Sequence, residues 1–264
     1  LDSPTGQVIA EELFDSKDSK TIESFLRRNL DTQNQIFIVT DLYRGYSDIF
    51  KRVFGNRIIH QFCLLHLNKL IVGDFPRKTS IEQELLKYRM LNIFYNRELE
   101  IDFLSSLIEE EKTMRQSGSK IYKSWIVDAK KAFFDFLRGL ELKRRRENKN
   151  LEQRPYHEAL NNFKILKSQS DSFMISVRKR LAKIEEIWPN LTAFYFLDNA
   201  PATNNPVENY YSTSLKTHRK KQLEEIGIKE QMKLSALKRA GIFGRPQKTL
   251  LDAFYAFIPF IDAG

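Results

Sequence analysis

The sequence predicts an α/β fold: a sheet flanked by helices and interrupted by a large all-helical insertion. Three observations predict it. Two short apolar runs, 35–40 (QIFIVT) and 56–62 (NRIIHQF), have the length and β-branched content of strands buried on both faces, as in a parallel sheet. Amphipathic segments of helical period alternate with them. Beyond Phe62 the β character stops, and Leu, Lys, Glu and Arg recur at helical spacing as far as Trp188.

The elements follow in order. A turn at Ser3-Pro4-Thr5-Gly6 precedes 7–14 (QVIAEELF), which reads as a strand. Residues 17–30 form a helix, because Ile22, Phe25, Leu26 and Leu30 repeat along it at helical spacing. The strand 35–40 comes next, with Asp41 at its carboxyl end. A helix over 46–54 carries Tyr46, Ile49, Phe50 and Phe54, and the strand 56–62 follows it. The insertion resolves into helices over about 79–93, 97–114, 119–144 and 156–187, with Gly118 and Pro155 as breakers. A Pro- and Asn-rich loop, 198–206, opens a helix from Pro206 to about Arg219, and a further helix covers about 226–239. The tail 250–260 is aromatic and is expected to pack back on the body. In domain terms, 1–72 is the first part of a core, 73–190 the helical insertion, 191–245 the closing part of the core and 246–264 the tail.

Composition narrows the function. Hydrophobic residues make up 42% and aromatic residues 12%, enough for a sizeable core, which argues against wholesale disorder. Lys and Arg number 43 against 34 Asp and Glu, a net charge of +9, and such a field draws polyanions. The single cysteine, Cys63, excludes an intramolecular disulfide and a Cys-rich zinc site, and suits a reducing cytoplasm. No run reaches the roughly 18 apolar residues that span a bilayer, and residues 1–6 lack a signal-peptide pattern. The absence of an initiator Met, with a turn close to the start, leads to the expectation that the sequence is a fragment. No phosphate-binding glycine loop, dinucleotide fingerprint or nucleophile-elbow motif occurs, which disfavours a nucleotide-driven motor or a serine hydrolase.

Five constellations are candidates for chemistry, each with a plainer alternative. Asp41 stands where ligands sit in open α/β sheets, beyond the carboxyl end of a strand; equally, it suits a turn or a helix cap. Glu208, in Thr203-Asn204-Asn205-Pro206-Val207-Glu208, either faces the sheet's crevice or completes a capping box, with Asn205 as cap and Pro206 opening the helix. Lys216, His218, Arg219, Lys220 and Lys221 form a basic stripe that fits a phosphate backbone or an ordinary solvated face. Cys63 and His66, preceded by His60, are too few for a structural zinc, so no zinc is expected; Cys63 reads as a small buried hydrophobe and His66 as a polar group near the crevice rim. Lys143, Arg144, Arg145 and Arg146, followed by Lys149 and Arg154, suit either phosphate contact or a mobile surface run.

Joined in order, 36–46 (IFIVTDLYRGY), 60–66 (HQFCLLH) and 203–209 (TNNPVEN) resemble the DDE transposase superfamily, in particular Mutator-like and prokaryotic insertion-sequence transposases. Each motif is modest alone; their shared order and spacing are specific. The resemblance implies an RNase H-like mixed sheet with Asp41 and Glu208 as catalytic, metal-holding carboxylates. It implies Mg²⁺ or Mn²⁺ in a two-ion site, double-stranded DNA at element ends and targets as partner, and a homo-oligomer assembled on DNA. Lys216, Arg219, Lys220, Lys221, Arg144 and Arg145 would contact DNA, while Cys63, His66, Asn204 and Asn205 would support the site. The compartment implied is the nucleoid-associated cytoplasm of a prokaryote. The family also needs a first catalytic Asp, expected upstream of residue 1. Two neighbouring readings share these residues: a decayed or domesticated nucleic-acid-binding protein without chemistry, and an RNase H-like nuclease without strand transfer. A third is an all-helical interaction protein in which Asp41 and Glu208 only cap and turn the chain.

Overall fold

The structure is a computed structural model that describes residues 9–10, 18–116, 122–205 and 207. Among these residues the chain is mostly helical, with a two-stranded parallel sheet. Helix α1 (Ser19–Asn29) begins at Asp18, whose carboxylate accepts the Thr21 N–H at 2.9 Å. Strand β1 (Ile36–Thr40), helix α2 (Gly45–Phe54) and strand β2 (Ile58–Phe62) then form a β–α–β unit, as the alternation of apolar runs and amphipathic segments predicted. Gly55 ends α2 at φ 60, a left-handed conformation in which a side chain would be strained.

Seven helices follow among the described residues. They are α3 (Leu64–Gly73), α4 (Ile81–Leu91), α5 (Glu98–Gln116), α6 (Tyr122–Arg146), α7 (Tyr156–Ser168), α8 (Ile175–Glu186) and α9 (Trp188–Thr192). A capping box starts α4: the Ser80 hydroxyl accepts the Gln83 N–H while the Gln83 amide accepts the Ser80 N–H. The segment 64–73, inside the stretch of helical spacing, is helix α3. The single helix expected over 156–187 is two helices, parted by a 3₁₀ turn at Ser170–Ser172. The break follows from local chemistry. The Ser168 hydroxyl donates to the Ile165 carbonyl and the Ser172 hydroxyl to that of Gln169, so this polar cluster satisfies backbone groups outside a continuous helix.

Only Ile9 and Ala10 of the expected strand 7–14 are described, and neither is in a strand. The expected helices 206–219 and 226–239 lie outside the described residues except Val207, which is helical. The expected packing of the tail 250–260 lies wholly outside them. No helix among the described residues is long and apolar enough to cross a membrane.

Contacts divide the chain into two compact units: 1–38, 43–59 and 204–264 in one, 39–42 and 60–203 in the other. In the first, α1 packs on α2 around Leu26, Ile49, Phe50, Val53 and Phe54, with Ile36, Ile38 and Ile58 of the strands against them. In the second, α4, α5 and α6 enclose Ile81, Leu104, Leu107, Ala129 and Phe133. Arg154 pins this unit from within. It is 6% exposed and donates to the carbonyl and side chain of Asn92 and to the carboxylates of Glu98 and Glu158. Although it follows the basic run of α6 in sequence, it is an internal clamp and not part of an outward patch.

That difference is measurable. Arg154→Ala removes a buried guanidinium and its bonds to Asn92, Glu98 and Glu158, and is expected to lower stability by about 2 kcal/mol. Arg145→Ala removes only an exposed pair with Glu141 and should cost no more than about 0.5 kcal/mol. Urea denaturation of both variants checks the contrast; equal losses would refute the clamp.

Candidate functional site

Both strands end at one place. The last residue of β1, Thr40, accepts the Cys63 N–H on its carbonyl at 2.8 Å, and Asp41 follows it directly. One residue beyond Cys63, the Leu64 N–H donates to the carbonyl of Ala202 at 3.1 Å. Two adjacent backbone donors thus join the end of β1, the start of α3 and the loop that leads to Thr203. All of these groups belong to one compact unit.

Two side chains bring the distant loop there. Gln61 is fully buried; its amide donates to the Leu191 carbonyl at 3.1 Å, and its side-chain oxygen accepts the Phe194 N–H at 3.1 Å. The Asn190 amide donates to the His60 carbonyl at 2.9 Å. Neither residue was singled out from the sequence. The legible signal was a glutamine inside an apolar strand, since a buried amide demands partners.

His60 supports the same strand end. Its Nε2 lies 2.8 Å from the Thr40 hydroxyl, and that hydroxyl donates to the Asp41 carbonyl at 2.8 Å. The single hydroxyl proton is then spent, so the imidazole donates from Nε2. Burial pushes its pKa down from 6.5 to about 4. The ring also stands edge-on to Phe62, with centroids 4.6 Å apart.

The sequence-derived candidates fall into four groups. Asp41 and His66 are half-buried, and Cys63 is fully buried at the strand ends, where it fills space as a small apolar side chain. Asn204 is half-buried and Asn205 exposed. On α6, Arg144 donates to Glu100, a carboxylate 1% exposed, at 3.1 Å, while Arg145 pairs with Glu141 on the surface. Glu208, Lys216, His218, Arg219, Lys220 and Lys221 lie outside the described residues.

The residues present fit a hard dication in kind: Asp41 offers a carboxylate, the donor that such ions prefer. Among the described residues no group of three or more His, Cys, Asp or Glu is placed to hold a metal. Compared with protein families, curated proteins and solved structures, the chain matches none.

The neutral histidine predicts a pH dependence. Between pH 6.5 and about 4 the unfolded chain takes up a proton that folded His60 does not, so stability falls as the pH drops through that window and is unaffected by this group above it. The full loss is about 3 kcal/mol. Urea melts from pH 7.5 to 4.5 should show a shallower decline for His60→Gln than for the unaltered chain; parallel curves would exclude a neutral buried imidazole.

Proposed function

We propose that the chain is the catalytic part of a DNA transposase of the DDE superfamily, with an RNase H-like core, that cleaves strands at element ends and joins them to target DNA. The observation that carries the reading is the convergence at the strand ends. Asp41 follows a parallel strand, and the loop leading to Glu208 is bonded to the start of α3 beside it. The strand end and the start of α3 belong to segments on which the sequence resemblance rests, and Ala202 directly precedes the third such segment.

The chain's own residues have simple tasks in this reading. Asp41 and Glu208 supply carboxylate oxygens for Mg²⁺ or Mn²⁺. When bound, such ions supply activation of water or a 3′-hydroxyl and stabilisation of the leaving oxygen. The Thr40–His60 bond holds the peptide that carries Asp41, and a neutral His60 adds no charge that would compete with a cation. Lys216, Arg219, Lys220 and Lys221, with Arg145 at the basic end of α6, grip duplex phosphates, in keeping with the net charge of +9. Arg144 adds to this positive end while holding Glu100. A homo-oligomer assembled on double-stranded DNA, in a prokaryotic nucleoid, is part of the same proposal.

Asp41→Asn and Glu208→Gln, made in the full-length protein, keep side-chain shape while removing charge. Each is expected to abolish Mg²⁺-dependent strand cleavage of element-end DNA and to leave duplex binding within about twofold, read by gel assay and fluorescence anisotropy. Cleavage that survives either substitution sinks the assignment.

A further inference from the structure

The helical unit has a pocket that shares no residue with the strand ends. It lies between α4, α5 and α6, and its cavity is about 230 Å³. Ile81, Leu104, Leu107 and Phe133 give it an apolar floor. Its rim carries three cations, Arg77, Lys78 and Lys130. Glu84 is the acidic group there, and it is already engaged: it pairs with Lys87 at 2.5 Å and accepts the Thr79 hydroxyl. The rim therefore presents net positive charge over an apolar base.

Phe134 lines the same pocket and is 63% exposed. Helical spacing surrounds it with cations: Lys130 and Lys131 lie one turn before it, and Arg138 one turn after. Lys131 and Arg138 are exposed, and neither forms an ion pair with a described residue. Val127, 67% exposed, extends the apolar stripe by two turns. A large ring facing water between cations invites a planar anion, because aromatic burial is favourable and the cations answer its charge.

Charge decides against a second copy of this helix. Antiparallel packing centred on Phe134 sets Lys130 of one copy against Arg138 of the other, and parallel packing sets each cation against itself. Duplex DNA fits poorly as well, since its bases are stacked inside. A single strand offers both requirements together, an open base face and a phosphate on each side of it.

We infer that this face of α6, with the pocket beside it, binds single-stranded nucleic acid by stacking a base on Phe134 while Arg77, Lys78, Lys131 and Arg138 hold the flanking phosphates. The inference rests on the proposed function only for the presence of nucleic acid, and it names the form that the helical unit takes. It does not need Asp41 or Glu208.

The test uses the full chain and a fluorescent thymidine oligonucleotide of about 12 nucleotides, followed by anisotropy in 0.1 M salt. Phe134→Ala should weaken binding by about tenfold, while Phe134→Trp retains it. Because Phe134 is exposed, neither change should shift the thermal unfolding midpoint. The pair Lys131→Gln and Arg138→Gln should make binding less salt-dependent, with a logarithmic slope smaller by about 1.4. A duplex of the same length should bind Phe134→Ala as it binds the unaltered chain. Unchanged single-strand affinity in Phe134→Ala overturns the inference and leaves the metal-site reading intact. So does an equal loss for single strand and duplex, or Phe134-dependent binding of an acidic peptide that the oligonucleotide does not displace. Failure of the unaltered chain to bind either form of DNA sinks both readings.

Discussion

The buried amide of Gln61 is the constraint on which the candidate site depends. It is enclosed in β2, where an unpartnered amide would cost about 1–3 kcal/mol. It is satisfied by bonds to Phe62, Leu191 and Phe194, so the chain cannot leave that position without exposing the amide's need. The segment at 191–194 is thereby held against the strand although more than a hundred residues separate the two. From that point the loop runs to Ala202, whose carbonyl takes the first N–H of α3. One buried side chain thus positions both the strand end and the loop that precedes the second candidate carboxylate.

The insertion tolerates this arrangement because it is internally satisfied. Its helices share a core around Leu104 and Phe133, and Arg154 fastens the segment after α4 to the start of α7. The Tyr195 hydroxyl donates to the Arg154 carbonyl at 2.7 Å, which ties the returning chain to the same clamp. Closing so long a loop costs little more entropy than closing a short one, since the cost grows only with the logarithm of its length. What the site needs is a specific closure, and Gln61, Asn190 and Tyr195 supply it.

Among the described residues the positive charge is not one surface. Arg154 is spent inside the helical unit, and Arg144 is shared with Glu100. Lys131 and Arg138 face outward beside an exposed ring. A run of basic letters therefore contains residues of quite different physical kinds. Burial separates them: a guanidinium that has lost water must be answered by carboxylates or carbonyls, whereas an exposed one stays available to a polyanion.

Periodicity alone disclosed β1, β2, α1 and α2 and most of the insertion's helices, because each must present a continuous apolar face to something. It also placed Asp41 at a strand's carboxyl end, since strand direction and the last apolar residue are both local facts. It did not disclose the break at Ser170–Ser172, where hydroxyls compete for backbone groups within an otherwise helical pattern. Nor did it distinguish Arg154 from the basic run that precedes it. The meeting of Thr40, Cys63 and Ala202 was decided only by tertiary structure, because it rests on hydrogen bonds between groups far apart in the chain. Local sequence determines which elements exist and which way their apolar faces point; the pairing of buried polar groups across the fold determines which of their ends come together.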